Sequence, residues 1–531
     1  MKHMKKLVTL LLALIMALAL VVPASAATVE NKTGHAYEAY QIFKGTQSSD
    51  SYVLADVEWG SDIDSTQFLK ALKTDGRLVD NANKQIFANC ATAADVAEVL
   101  KTEADNSKVA KAVANLAAKH RKTTFTASIA KDAKNVELPA GYYLLVDVTT
   151  PGEGDAMNSA LLQVTNKGNI VLDKKYDVPQ VNKSVKDTDD QWGEAADWCI
   201  GSNVPFQLIG TLPSNYADYE TYKYVFHDTL SSALKYNGDV TVYFRSGDKD
   251  TQIASSNFTV DPPSAATAGG GTLTITFNDL KKVSGVNITS GGQIVVKYTA
   301  KLLNTAVIGQ PGNSNEVYLE YSSNPNFSGT GTPPTSETPK DRVLVFTYQL
   351  DINKVDGTTP TKKLQNAEFK LKCIAAEKEV TWNGKWVTVD ANNKVTGWAD
   401  TQGKGSTLIT NANGLAQVIG LDAGTYELYE TKAPGGYNKL KDPIQIVITA
   451  TLDKTEDNPA LTALTIKVDD SAAKAGDVTK GTVSTTVTNN SGATLPETGG
   501  IGTTLFYIIG GVLMVGAAVL LVTRKRMNNT K

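Results

Sequence analysis

Lysine, asparagine and carboxylic acid side chains recur where the alternation of a β-strand calls for apolar ones. In Leu350-Asp351-Ile352-Asn353-Lys354, Lys354 shares a face with Leu350 and Ile352, and Lys183 shares one with Val181 and Val185. Glu430 stands in phase with Tyr426 and Leu428, Asn489 with Val483 and Val487, and Asn315 with Val317, Leu319 and Tyr321. An inward face disfavours the charged form of an acid or an amine. A desolvated lysine loses its proton and becomes a nucleophile. A protonated Glu or Asp beside it can polarise an asparagine carboxamide, so that the amine replaces ammonia and an amide remains. The bland alternative for each lysine is a side chain that snorkels from a strand end.

The elements that must carry these residues are mainly strands. From Pro179 to about Lys340, short runs such as Phe206-Gln207-Leu208-Ile209, Ile294-Val295-Val296-Lys297-Tyr298 and Val317-Tyr318-Leu319-Glu320-Tyr321 are separated by Gly, Asn, Ser and Pro. Repeated short strands without helical period argue a β-sandwich. The same texture returns from Val343 to Asn490 and argues a second one. Residues 27–178 differ, because strand-like runs flank Ala/Lys-rich stretches with helical spacing. Ser65 is placed to cap a helix over Thr66 to Lys73, Ala94-Asp95 opens another toward Leu100, and a third covers Val109 to His120. The expected domains are 27–178 (α+β), 179–340 and 341–490 (both sandwiches).

Both ends are addresses. Lys2 to Lys6, the apolar Leu7 to Val22 and Ala24-Ser25-Ala26 form an export signal over residues 1–26. At the other end Leu495-Pro496-Glu497-Thr498-Gly499, in a 491–499 tether, precedes an apolar run from Leu505 to Val522 and the basic Arg524-Lys525-Arg526. A run of about 18 to 20 apolar residues spans a bilayer, and its basic end suits the cytoplasmic side. This order resembles the cell-wall sorting signal of Gram-positive surface proteins. The resemblance implies that a sortase cuts between Thr498 and Gly499 and passes the Thr498 carbonyl to an amine, discarding Gly499 together with the span and tail of 500–531. A tail-anchored protein is the simpler alternative.

Tyr426-Glu427-Leu428-Tyr429-Glu430-Thr431-Lys432-Ala433-Pro434-Gly435-Gly436-Tyr437 looks like the E-box of sortase-assembled pilins. With the two signals it extends the resemblance over essentially the whole chain, to the major shaft subunit of Gram-positive sortase-assembled pili. The resemblance implies tandem immunoglobulin-like sandwiches of the collagen-adhesin B type, and self-made amides: Lys354 with Asn489 assisted by Glu430, and Lys183 with Asn315 assisted by Asp228. Asn313 and Asn324 compete with Asn315. It further implies an acceptor lysine for Thr498 of another copy. Lys175 lies four residues before Pro179, as that placement asks, but Asp173-Lys174 stands where Tyr-Pro is common, so Lys174 rivals it. Implied partners are the sortase, other copies, tip and base pilins, peptidoglycan and host surface ligands. A monomeric wall-anchored adhesin for a host matrix ligand is the competing reading.

Other chemistries lack residues. Charges are interspersed and net charge is −3, which gives nucleic acid no basic surface. Cys90, Cys199 and Cys373 are an odd, scattered set and read as small buried apolar side chains. His35, His120 and His227 have no metal-ligand spacing, and no catalytic or cofactor fingerprint occurs, so neither an enzyme nor a cofactor protein is expected. Asp187-Thr188-Asp189-Asp190 lacks the Gly and Glu of a calcium loop and reads as a solvated turn. Trp382, Trp386 and Trp398 either form a ligand surface or pack a hairpin on the sandwich.

Overall fold

A computed structural model describes residues 26–47, 53–104, 107–157, 159–165, 169–173, 177–187, 190–264, 269–325, 327, 332–375, 381–455, 458–492 and 501–528. Residues 1–25 of the export signal, Lys174, Lys175 and the sorting peptide from Leu495 to Gly499 lie outside them. The architecture is mainly β.

In the first domain an antiparallel sheet runs Leu54–Trp59, Tyr37–Gln47, Gly141–Asp147, Ser159–Val164, and the helices Ser65–Thr74, Ala93–Leu100 and Lys108–His120 pack on it. Local chemistry sets the helix starts. Thr92 and Asp95 form a reciprocal capping box, and Ser107 caps the third helix. The first helix is capped by Asp64, whose carboxylate accepts from Gln67 N, and Ser65 is its first residue rather than its cap. Either type suits an N-cap, and the carboxylate reaches this one. A smaller sheet pairs Ile170–Leu172 in parallel with Ala26–Asn31, at the edge from which the chain leaves toward residues 174–176.

Two sandwiches follow. The middle one stacks a sheet holding Val181–Lys186, Asn203–Thr211 and Gln293–Leu302 on a sheet holding Tyr224–Leu230, Asn313–Ser322 and Asp341–Phe346. Residues 341–346 thus belong to its second sheet, beyond the expected boundary at 340, and the chain crosses to the next sandwich at Thr347. In the C-terminal sandwich Leu415–Leu421, Tyr348–Asp356 and Thr482–Asn489 form one sheet. The larger sheet opposite includes Glu368–Ala375 and Gly424–Lys432.

The two sandwich cores are continuous. Across the seam Ile200 N donates to Gly420 O at 2.9 Å, Gln310 Nε2 to Leu461 O at 2.9 Å, and Lys454 Nζ pairs with Asp187 at 2.7 Å. Asp187 is therefore buried at an interface rather than solvated. Trp382 stacks on Trp398 at 6.1 Å and meets Trp198 of the middle sandwich edge-on at 6.3 Å, while Trp386 packs on Tyr429 at 4.9 Å. The aromatics serve packing. All three cysteines are buried, and none forms a disulfide among the described residues.

At the seam Gly309 and Gly481 touch backbone to backbone. Gly481 has φ +61°, and a Cβ there would fall 2.3 Å from Gly309 N. Gly481→Ala should destabilise the two-sandwich unit by about 1–3 kcal/mol, read as a lowered thermal midpoint. An unchanged midpoint would mean that the seam yields without cost.

From Ile501 to Asn528 the chain is helical, and Leu505–Met527 is long and apolar enough to cross a membrane, with Lys525 and Arg526 in the last turn.

Candidate functional site

In the middle sandwich four polar side chains meet between the sheets. Lys183 stands opposite Leu208, and Tyr298 opposite Phe206, in one sheet. From the other sheet Asp228 opposes Val317 and Asn315 opposes Leu230 across one antiparallel pair, so the two are diagonal neighbours. Lys183, Asp228 and Asn315 are 0 % exposed. Lys183 Nζ lies 2.5 Å from Asp228 Oδ1 and 3.4 Å from the Tyr298 hydroxyl. That hydroxyl also bonds Asp228 Oδ2, and Asn315 Nδ2 donates to it at 2.6 Å. Lys183 Nζ further lies over the Phe206 ring, 5.3 Å from its centroid.

Burial pushes the Lys183 ammonium pKa down, against the pull of Asp228. It lifts that of the Asp228 carboxyl, against Lys183 and Tyr298. Both directions favour a neutral amine beside a protonated acid.

The C-terminal sandwich solves the same problem with different geometry. Lys354 and Asn489 lie in one sheet on adjacent parallel strands, Lys354 opposite Val487 and Asn489 opposite Asp356. Their shared phase puts both inward, one pleat repeat apart. Glu430 comes from the facing sheet, beside Phe369. Its Oε1 is 3.3 Å from Lys354 Nζ, and its Oε2 accepts from Asn489 Nδ2 at 3.0 Å and from Leu440 N at 2.6 Å. The Lys354 side chain is fully buried, and burial lowers the pKa of its ammonium. The 3.3 Å approach to Glu430 lacks hydrogen-bond alignment. Lys354 Nζ, Asn489 Oδ1 and Asn315 Oδ1 are buried with no hydrogen bond among the described residues. Each unmade bond costs about 1–3 kcal/mol, so both clusters are strained as resting arrangements.

Each lysine, acid and asparagine singled out in the two strand patterns thus falls in one of the clusters. Asn313 points its carboxamide at the Val307 and Val345 backbone instead, and Asn324 lies past the strand end. The Asn315 strand is not the last of its sandwich, since Thr335–Glu337 and Asp341–Phe346 follow it in the same sheet. Sequence reasoning missed Tyr298. The available signal was a phenol in phase with Ile294 and Val296 on an inward face.

Stacked β-sheets with buried Lys–acid–Asn clusters, ahead of an apolar C-terminal helix, define a wall-anchored β-sandwich surface protein. Three family matches make this particular: a Gram-positive pilin backbone subunit 2, Cna-B-like domain over 200–325, a prealbumin-like fold domain over 348–459, and an LPXTG cell wall anchor motif over 487–529. The chain is a secreted, cell-wall-anchored surface protein, and its middle region resembles the backbone subunits of Gram-positive pili. The trypsin-resistant surface T6 protein of Streptococcus pyogenes serotype M6 is 25% identical over 450 residues, covering 72% of this chain and 75% of that one. A type 1 fimbrial subunit of Actinomyces viscosus is 23% identical over 361 residues, covering 62% of each. The solved T6 backbone pilin of serotype M6 Streptococcus pyogenes, described as a modular three-domain structure, matches with TM-score 0.50 and 16% identity over 88% of this chain and 98% of that one. That last likeness concerns the fold.

Proposed function

We propose that this chain is the shaft subunit of a pilus, polymerised head to tail by a sortase and stiffened by one internal amide in each sandwich. The sortase cuts after Thr498 and holds its carbonyl as a thioester. The Lys175 amine of another copy displaces the enzyme and forms the linking amide. The wall is reached when peptidoglycan supplies the amine instead. Tip and base pilins and host surface ligands complete the partners.

The observation that carries this reading is the pair of buried clusters, each joining a lysine, an acid and an asparagine, in a chain that ends in a wall-anchor motif. The clusters support the internal amides, and the wall-anchor motif with the pilin backbone match supports the shaft role. Packing holds the groups together, so the reaction gains the effective molarity of an intramolecular step. The position of residues 174–176 along the chain supports an acceptor there. They follow Ile170–Leu172, the edge strand of the first domain, and precede Val181–Lys186, the first strand of the middle sandwich.

Load transmission fits as well. Tension enters the C-terminal sandwich at Tyr348 and leaves at Asn489, and the two strands run parallel. A Lys354–Asn489 amide would pass the force directly from the first strand to the exit, leaving the rest of the fold unloaded.

Wall extracts of cells expressing the full chain should show a ladder of high-mass species on immunoblots. Lys175→Ala should collapse the ladder to the single-copy band, and Lys174→Ala should leave it intact. A single band from the unaltered protein, or a ladder that survives the double substitution, would overturn the polymer reading.

A further inference from the structure

The two clusters differ in how the acid reaches the asparagine, and the difference assigns a role to Tyr298. In the C-terminal sandwich Glu430 spans both reactants itself, with Oε1 toward Lys354 Nζ and Oε2 on Asn489 Nδ2. Asp228 is one methylene shorter. It contacts Lys183 Nζ, but among the described contacts its link to Asn315 runs through the Tyr298 hydroxyl, which touches Asp228 Oδ2 on one side and Asn315 Nδ2 on the other. The geometry points to Tyr298 as a catalytic proton relay for the middle-sandwich crosslink, standing in for the methylene by which Asp228 falls short. This rests on the crosslinking reading above and adds a residue to it.

The step balances without any further reactant. Neutral Lys183 Nζ attacks Asn315 Cγ, the new C–N bond forms, and the Cγ–Nδ2 bond breaks. One proton must travel from Nζ to the departing Nδ2. Asp228 takes it on Oδ1 and releases its own from Oδ2 to the Tyr298 oxygen, while the Tyr298 proton passes to Nδ2. Ammonia leaves, and Asp228 and Tyr298 end protonated as they began. Tyr298 is well placed to hold its position throughout. It is 3 % exposed, and its ring stacks on Phe206 at 5.4 Å, so the hydroxyl is fixed by packing that does not depend on the reacting groups.

Tyr298→Phe keeps that ring and removes only the hydroxyl. In the exported region, intact mass and peptide mapping should show the Lys354–Asn489 bond complete. The middle-sandwich bond should form at least ~10²-fold more slowly than in the unaltered protein, the scale of one acid–base group. Asp228→Glu placed in the Tyr298→Phe background supplies the missing methylene and should restore the bond. Wild-type speed in Tyr298→Phe overturns the relay. Loss of the bond without rescue by Asp228→Glu also overturns it, and leaves Tyr298 a packing role. If the unaltered middle sandwich itself retains its ammonia, the crosslinking reading fails there, an outcome separate from either result with the variants.

Discussion

The exported region, prepared without leader and tail, will weigh less than its sequence by two molecules of ammonia, and Glu430→Ala will restore one of them. The expectation follows from desolvation. Lys183 and Lys354 are both fully buried, and burial lowers the pKa of each, which favours the nucleophilic free amine. What remains is to activate the carboxamide and deliver a proton to its nitrogen. In the C-terminal sandwich Glu430 is the group that contacts both partners. Removing it leaves the amine and the amide adjacent without a proton carrier. Asp228→Ala should restore the other ammonia independently, because that cluster lies in a separate sandwich. Folded protein at its full sequence mass would refute both bonds. A deficit that survives Glu430→Ala would assign the chemistry to another group.

Asn489→Ala should cost the C-terminal sandwich about 4–5 kcal/mol, the stabilisation that a crosslink confers by closing a loop on the order of a hundred residues. For a unit of that size the thermal midpoint should fall by roughly 10–20 °C. A lost hydrogen bond to Glu430 accounts for only about 1 kcal/mol of this. The two contributions separate in a double-mutant cycle. In the Glu430→Ala background, where no amide forms, Asn489→Ala should lower the midpoint by only a few degrees. Equal losses in both backgrounds would show that Asn489 acts through packing alone.

Much of this site was legible in the chain because period-two alternation is local. It places Lys183, Lys354, Glu430, Asn315 and Asn489 inward from their immediate neighbours, whatever lies across the core. The helix starts were nearly as legible, and the exchange of Asp64 for Ser65 as cap reflects two competent oxygens one residue apart. The boundary near residue 340 was less so. A strand run from Asp341 onward reads the same whichever sandwich it joins, and only its hydrogen bonding to Asn313–Ser322 assigns it to the middle one.

By itself the sequence determined the two addresses, the mainly β architecture and the phase of every reactive side chain, since each depends on residues close together in the chain. Tertiary structure decided between inward groups of the same phase. Asn313 and Asn315 share a phase, yet the first is held by the Val307 and Val345 backbone and the second faces Tyr298. Tyr298 likewise became a candidate relay only when its strand was set across the core from Asp228. Phase says which way a side chain points, and sheet stacking sets what it points at.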